Sequence, residues 1–382
     1  MSIQARNASY TKEYNRKLIF NLLLKSPMSR SELSRQTGLT RSALTLITDD
    51  MIAEGLVFET NRAAEKQGRV PVLLDVNKDE FLAVGVYLNR ERCAAGLVNL
   101  KYESLIEKDI DLSPCADAGH AMDVIGRTVR DIIKESGMDI NKLCGIGISA
   151  PGPVNRETGR ILNPPDFQLW QYVNLGEGLS ARTGLPVMVD NDAYALADFS
   201  RQHVDLNIGC YLFLKIGPRV GSGIIYKGSL YRGVDGISGE IGHVSIDYNG
   251  RKCSCGNNGC LELYASFTHL LREFGGHFAA WDKVVAAAAD QDRLAIEIIR
   301  REAGYLSAGI VNALNTLNLE AVVLAGEILS GFDLLAPIVE ENVNSQIITR
   351  SFRDIRLISA RTGMDDDISA SANIVFSNSF AM

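Results

Sequence analysis

The sequence predicts an α/β protein of two similarly built lobes that follow a small N-terminal domain. After about residue 77, apolar strand-like runs alternate with helical patterns in two successive blocks, and this alternation is typical of α/β domains. Residues 1–76 instead contain three helical patterns and then two strand patterns. We therefore expect an N-terminal domain over 1–76, a first lobe over 77–195 and a second lobe over 196–365, with a C-terminal helix at about 366–382 packing back on the first lobe.

The composition is that of an ordinary globular protein, with 46% hydrophobic and 22% charged residues among 382. No apolar run reaches the roughly 18 residues that suggest a membrane span, and the N-terminus lacks the apolar stretch of a signal peptide. Four scattered cysteines suggest no disulfide framework, namely Cys93, Cys115, Cys144 and Cys210. We expect a cytoplasmic protein that does not contact membranes.

The charge is distributed unevenly along the chain. Residues 1–75 hold 11 Lys and Arg against 8 Asp and Glu, whereas the whole chain has a net charge of −7. An acidic total argues against indiscriminate nucleic-acid binding. A basic N-terminal part on an acidic body is nevertheless an asymmetry that suggests a separate role for the first domain.

The N-terminal domain begins with two helical patterns. Residues 12–25 have apolar side chains at helical spacing. Ser29 and Glu32 form the sequence pattern of a capping box, which opens a second helix. Gly38 provides its C-terminal stop.

A third helix begins at Thr40 as its N-cap and ends near Gly55. Its buried stripe is expected to consist of Ala43, Leu44, Ile47, Met51 and Ile52. Two apolar-faced helices joined by a turn that contains glycine predict a helix-turn-helix, whose second helix reads the major groove of DNA. The expected contacts from these two helices are Ser29, Arg30, Thr40, Arg41, Ser42 and Thr45.

Residues 56–75 predict two strands around a basic tip, which is the pattern of a wing. Arg62, Lys66 and Arg69 at this tip are candidates for phosphate contacts. Together with the basic balance, the pattern predicts a winged helix-turn-helix that binds DNA. The alternative is a small helical bundle that docks another protein.

The first lobe is predicted from strands at 81–88 and 93–100, a helix at 121–136 and further strands near 143 and 187. The last strand ends at Asn191 and Asp192. Open α/β sheets place ligands at the carboxyl ends of their strands, so these two side chains are candidate ligand contacts. The alternative role for them is to cap the helix that follows.

The second lobe opens with two strand patterns near 211 and 220 and continues with one long Ala-rich helical region. Later patterns predict a strand, a helix, a last strand and a weaker terminal helix. The predicted ranges from the helical region onward are 281–318, 321–327, 333–347, 355–360 and 368–380.

Three of the seven cysteines lie within eight positions, at Cys253, Cys255 and Cys260, and His243 precedes them. One imidazole and three thiolates suit a closed structural zinc site. Three thiols in a loop beside an ordinary core histidine, or a redox cluster, are the alternatives. Glu240 and Glu262 flank the cluster and could accept hydrogen bonds from the hydroxyls of a polyol, or could simply be solvated.

The segment 239–262 closely resembles the zinc signature of the ROK family, which groups bacterial sugar-responsive repressors with sugar kinases. The resemblance extends from about Arg16 to the C-terminus. It implies an actin-like, ribonuclease-H-like ATPase fold for the two lobes, one structural Zn²⁺ per chain and a homodimer or tetramer. It also implies that sugar hydroxyls are contacted by Asn163, Asn191, Asp192, Glu240, His243 and Glu262.

The same resemblance indicates that nucleotide binding is lost. At phosphate-facing positions of the family's kinases this sequence has Tyr87, Asn89, Arg90 and Glu91. In the second phosphate segment Pro218 removes a backbone donor and Arg219 replaces a glycine. The adenosine-side turn reads L-A-G-E in place of a glycine pair. Asp192, the base position of a kinase, is then expected only to hold a hydroxyl.

These features predict a repressor that binds operator DNA and responds to a carbohydrate or a sugar phosphate, without enzymatic activity. One alternative is a sugar kinase that carries a DNA-binding domain. Another is a regulator controlled by a transport protein. The sequence does not separate the last alternative from control by a free sugar.

Overall fold

The structure is a computed structural model and describes residues 8–61, 72–202, 204, 208–360 and 364–380. The helices are α1 (Ala8–Lys25), α2 (Arg30–Thr37), α3 (Arg41–Ala53), α4 (Ala118–Ser136), α5 (Leu175–Thr183), α6 (Asp192–Ser200), α7 (Glu262–Ala265), α8 (Phe267–Glu273), α9 (Trp281–Ala289), α10 (Arg293–Leu317), α11 (Phe332–Gln346) and α12 (Met364–Ser379). None of them is long and apolar enough to cross a membrane.

The strands form three main sheets and one short ribbon. They are β1 (Met28–Ser29), β2 (Val57–Asn61), β3 (Val72–Val76), β4 (Leu82–Leu88), β5 (Cys93–Asn99), β6 (Ser104–Ile110), β7 (Leu143–Ala150), β8 (Val154–Asn155), β9 (Arg160–Ile161), β10 (Val187–Asn191), β11 (Tyr211–Ile216), β12 (Val220–Tyr226), β13 (Ser229–Tyr231), β14 (Ala321–Ala325) and β15 (Arg356–Ser359).

The N-terminal domain consists of α1–α3 and a three-stranded sheet of order β1-β3-β2. The capping box is confirmed, since Glu32 N donates to Ser29 Oγ and Ser29 N donates to the Glu32 carboxylate. Gly38 ends α2 in the left-handed conformation at φ 72°, and Thr40 caps α3. The predicted tip of the wing, residues 62–71, lies outside the described residues.

The first lobe is built on a sheet of order β10-β7-β4-β5-β6, in which β10, β7 and β4 are parallel. Helices α4 and α5 cover one face. Helix α12 covers the other face at very close range: a Cβ added at Gly147 would come 1.9 Å from the Ser371 carbonyl oxygen. Glycine at this position is therefore what allows the C-terminal helix to sit on the sheet.

The second lobe repeats the arrangement with a sheet of order β13-β12-β11-β14-β15. Its core lies between this sheet and helices α9, α10 and α11. The helical region predicted as one stretch is two helices. The chain turns at Gln291, which has φ 63°, and the Asp292 side chain caps α10 by accepting from Ala295 N.

The N-terminal domain shares a hydrophobic core with the first lobe. Ile19 and Leu23 of α1 belong to the same buried cluster as Tyr87 of β4 and Phe376 of α12. The two structural units are thus joined by packing and not only by the chain between them.

Candidate functional site

A cleft of ≈ 540 Å³ lies between the two lobes, which is within the usual range for small-molecule sites. Its walls come from both sheets and from the start of α6, α7 and α12. Of the predicted sugar contacts, five line this cleft: Asn191, Asp192, Glu240, His243 and Glu262. Asn163 is exposed and lies outside the cleft lining.

Asn191 and Asp192 lie where β10 ends and α6 begins. The Asn191 side-chain oxygen accepts from the backbone N–H groups of Ala193 and Tyr194, at 2.8 and 3.2 Å, so this residue is the N-cap of α6. Oδ1 of Asp192 accepts from Ala193 N at 2.9 Å, and Oδ2 lies 4.0 Å from Nζ of Lys215. Capping and cleft lining therefore coexist at this strand end.

Glu240 and Glu262 add two further carboxyl groups to the cleft. Glu240 is accessible from the cleft, but protein surrounds it on most sides. This burial, together with repulsion from the carboxylates of Asp192 and Glu262, raises the pKa of Glu240 to about 7. Glu262 is only 8% exposed and accepts from Val220 N at 3.2 Å and from Arg219 Nη1 at 3.3 Å.

Two arginines fix the loop on the first-lobe side of the cleft. Arg219 pairs with Asp166 as well as with Glu262. Arg90 donates to the Pro165 carbonyl oxygen at 3.1 and 2.6 Å. The sequence analysis treated both arginines only as losses of phosphate-binding residues. Their partners lie 43 to 75 positions away in the chain, so local sequence could not reveal this role.

Lys215 and Asp367 are cleft residues that the sequence analysis missed. The Lys215 ammonium lies 3.3 Å from Asp367 Oδ1 and 3.3 Å from the Tyr87 hydroxyl. Burial raises the pKa of Tyr87 to about 12, so its hydroxyl stays protonated. A lysine inside the apolar strand C-Y-L-F-L-K-I-G was the available signal.

The four predicted metal ligands come together in one cluster, formed by His243, Cys253, Cys255 and Cys260. Their ligand atoms all lie within 4.8 Å of one another. Nδ1 of His243 is 3.7 Å from Sγ of Cys253, and the sulfurs of Cys255 and Cys260 are 3.6 Å apart. Tetrahedral zinc with Zn–S bonds of about 2.3 Å places its ligand atoms about 3.6–3.8 Å apart, so this donor set fits zinc.

The loop that carries these sulfurs depends on a glycine. Gly259 has φ 64°, and a Cβ at this position would come 1.7 Å from the Asp247 carbonyl oxygen. His243 belongs both to the metal cluster and to the lining of the cleft, and α7 begins at Glu262 two residues after Cys260. The cluster therefore braces one wall of the cleft.

The predicted DNA contacts fall into three groups. Thr40, Arg41, Ser42 and Thr45 are exposed at the start of α3. Ser29 is 5% exposed and its hydroxyl is used in the capping box, while Arg30 is paired with Asp49 and Glu59 at 2.7 and 2.6 Å. Arg62, Lys66 and Arg69 lie outside the described residues.

Leu46 is an exposed residue of α3 that the sequence analysis missed. Its side chain is 63% exposed, while Leu44 and Ile47 on either side are buried. An apolar residue off the buried stripe of the helix was the signal.

The chain belongs to the ROK family, whose family model matches residues 83–372. Among curated relatives, the xylose repressor of Bacillus subtilis is 28% identical over 96% of both chains. The putative xylose repressor of a Caldicellulosiruptor species is 30% identical over 92% of both. The DNA-binding transcriptional dual regulator NagC of Escherichia coli is 28% identical over 92% of this chain and 89% of its own.

Two solved structures of different kinds show what the chain resembles. A ROK family transcriptional regulator, described as a homolog of the E. coli MLC protein, matches 96% of each chain at 28% identity with a TM-score of 0.77. A ROK hexokinase from Thermus thermophilus matches 79% of this chain and 100% of its own at 23% identity with a TM-score of 0.66. About a fifth of this chain has no counterpart in the hexokinase, whereas the regulator matches almost all of it.

Proposed function

We propose that this protein is a sugar-responsive transcriptional repressor that binds operator DNA through its N-terminal domain and a carbohydrate, or its phosphate, in the cleft. The observation that carries the proposal is the cleft itself. Carboxyl groups of Asp192, Glu240 and Glu262 converge in it, and two of them lie beside cations, Asp192 beside Lys215 and Glu262 beside Arg219. The regulators among the relatives support the proposal, since they match this chain over the N-terminal domain as well as the two lobes.

The three carboxyl groups of the cleft suit the hydroxyl groups of a sugar. Carboxylates accept hydrogen bonds from hydroxyls, and charge-assisted bonds are the stronger kind. Asp192 and Glu262 are the principal acceptors, and Glu240, with a pKa of about 7, can also donate when protonated. Asn191 and His243 complete this wall of the cleft. Asn163 would contribute only through movement of its loop toward the ligand.

The segment around Pro218 and Arg219 is unsuited to a nucleotide. Arg219 is held by Asp166 and Glu262, and Pro218 lacks the backbone N–H that a phosphate cradle uses. Glu91 and Glu327 also line this region and add negative charge. The protein is therefore proposed to bind sugar without phosphorylating it, and to have no catalytic residue.

We assign the N-terminal domain as a winged helix-turn-helix. Thr40, Arg41, Ser42 and Thr45 would enter the major groove at the start of α3. Ser29 and Arg30 hold α2 and α3 in place, and the wing residues Arg62, Lys66 and Arg69 would meet phosphates. A homodimer or tetramer would bind half-sites about 34–36 Å apart or a multiple of that distance. Such a regulator acts in the cytoplasm.

One Zn²⁺ per chain would be held by His243, Cys253, Cys255 and Cys260. With three thiolates and one imidazole the coordination is closed, so the metal organises the loop and leaves no open position for water. Its proposed contribution to function is to hold His243 and Glu262 at the cleft wall.

A DNA-binding titration tests the proposal. The full-length protein is titrated against labelled fragments of its own upstream region, alone and with D-xylose, D-glucose, N-acetylglucosamine and their phosphates. We expect saturable binding to at least one fragment, and one sugar or sugar phosphate should change its affinity. Absence of a specific complex on every fragment would refute the DNA-binding role.

The alternative is a sugar kinase, which the family's kinases and the position of Asp192 favour. An assay for phosphorylation of hexoses by ATP tests it. We expect no turnover. Turnover that Asp192→Asn abolishes would replace this proposal with that of a sugar kinase. A pull-down from sugar-grown cells would detect control by a transport protein.

A further inference from the structure

One cleft residue is a half-buried lysine of the second lobe, whose ammonium contacts groups from outside its own sheet. Lys215 lies on β11, the central strand of the second sheet. Its ammonium is within 4.0 Å of oxygens of Tyr87, Asp192 and Asp367. It also lies over the Tyr87 ring, 5.1 Å from the centroid. A buried ammonium needs such partners because its desolvation is costly.

The three partners lie on the first sheet and on two helices that pack between the two sheets. Tyr87 lies on β4, Asp192 starts the helix that follows β10, and Asp367 lies on α12, which packs on β4 and β7. Separation of the two sheets would lengthen the contact between Lys215 of β11 and Tyr87 of β4. The ammonium is therefore a tie across the cleft and not a contact within one lobe.

Two carboxyl groups share one ammonium in this group of residues. Burial raises the pKa of Asp367, and Lys215 opposes that shift while Asp192 adds to it. Without the ammonium, Asp192 and Asp367 would repel each other across a poorly hydrated space. The lysine thus keeps the Asp192 carboxylate available in the place where a hydroxyl would meet it.

Asp367 also connects Lys215 with the N-terminal domain. It lies at the beginning of α12, whose later residue Phe376 is buried with Ile19 and Leu23 of α1. The ring of Phe380, just beyond the helix, lies 4.6 Å from that of Phe81. One helix therefore runs from the lysine to the core that the DNA-binding domain shares.

We propose that Lys215 is the positioning residue of the ligand cleft, a built-in cation that bridges Asp192 and Asp367 and joins β11 of the second lobe to β4 of the first through Tyr87. The proposal rests on the proposed function in so far as Asp192 contacts the sugar. The bridge itself can be tested without any sugar.

The first test replaces the ammonium from solution. Lys215→Ala leaves two carboxylates facing a space, which Mn²⁺ or ethylammonium can fill. At about ten times its dissociation constant, the added cation should raise Tm by about 2–4 °C. The zinc-loaded wild type, the exposed control Lys283→Ala and the double variant Lys215→Ala/Asp367→Asn should not respond. Folded Lys215→Ala that gains nothing from either cation would overturn the proposal.

Lys215→Met guards against failure of the alanine variant to fold. Combined with Asp367→Asn in a double-mutant cycle, it measures coupling through the unfolding equilibrium. We expect the two substitutions together to cost clearly less than the sum of their separate effects. Additive effects would count against the bridge.

The second test measures sugar affinity by calorimetry, using the sugar that changes operator binding. We expect Lys215→Ala to bind it about tenfold more weakly, and ethylammonium to restore the affinity. Unchanged affinity would refute the positioning role. If no sugar binds the wild type, the proposed function fails, and the cation experiment still decides whether the bridge exists.

Discussion

At the scale of single residues, the core of this protein contains a buried carboxyl group, which is unusual in a globular core. Glu302 on α10 is fully buried, and within the described part of the chain neither of its carboxylate oxygens has a hydrogen-bond partner. Burial raises the pKa of this carboxyl well above its usual value. The folded protein therefore keeps a proton there that the unfolded chain releases above about pH 4.5.

This difference predicts a pH dependence of stability. As pH rises above the ordinary glutamate pKa, the free energy of unfolding should fall by up to about 1.4 kcal/mol per pH unit until the folded pKa is reached. Glu302→Gln should lack this component. Urea unfolding from pH 5 to 8 measures it, with the exposed Glu297→Gln as control. Identical pH profiles for wild type and Glu302→Gln would contradict the assignment.

Leu46 carries a second prediction at this scale. If α3 enters the major groove as proposed, its exposed apolar side chain can contact the methyl group of thymine. Replacing that thymine by uracil should weaken binding about fourfold, the effect of one buried methyl group. In Leu46→Ala the two bases should bind alike, whereas Arg41→Ala should weaken both equally. A thymine preference that survives in Leu46→Ala would exclude this contact.

The packing of helices on sheets depends on a few positions where one backbone lies directly against another. Helix α12 can lie on the first sheet only because Gly147 and Gly85 present no side chain to it. Gly304, in the interior of α10, has open space where its Cβ would be. The same substitution should therefore have opposite effects at the two kinds of site.

Gly147→Ala should destabilise the protein by about 1–3 kcal/mol through overpacking. Gly304→Ala should be neutral or stabilise it by up to about 1 kcal/mol, because alanine loses less backbone entropy. Chemical denaturation of the two variants checks both values. Equal stability of the two variants would show that α12 does not require this approach.

The cluster of His243, Cys253, Cys255 and Cys260 is the second element-scale feature. Purified protein should contain about one zinc per chain, and Cys255→Ser should lose it together with about 4 kcal/mol of stability or more. Cys115→Ser, in a loop away from the cluster, serves as control. If the purified protein contained no zinc and were equally stable, the proposed zinc site would be wrong.

The sequence predicted well those features that depend on residues close together in the chain. The capping box at Ser29, the stop at Gly38 and the clustering of three cysteines all follow from spacing along the chain. The break between α9 and α10 was missed because Gln291 is not a residue type that marks a left-handed turn. The roles of Lys215, Arg219 and Asp367 were missed because their partners are distant in sequence.

At the scale of the whole molecule, the N-terminal domain touches both lobes. Its α1 shares the core of the first lobe and α12. On the second lobe, a Cβ at Gly228 would come 3.3 Å from the Tyr14 ring. Arg16 of the same helix donates to Glu54 at the end of α3 at 2.6 Å. The contacts of α1 therefore connect both lobes with α3, the helix that we propose to read DNA.

Such coupling requires that the sugar bind the two forms of the protein with different affinities. The factor by which sugar changes operator affinity must equal the factor by which operator changes sugar affinity. Typical coupling corresponds to about 5–150-fold.

The most direct test is therefore to measure the dissociation constant of the sugar by calorimetry, once with free protein and once with protein saturated by operator DNA. The account predicts two different constants, whose ratio matches the change in operator affinity caused by the sugar. Equal constants in the two titrations would contradict it, because cleft and DNA-binding domain would then act independently.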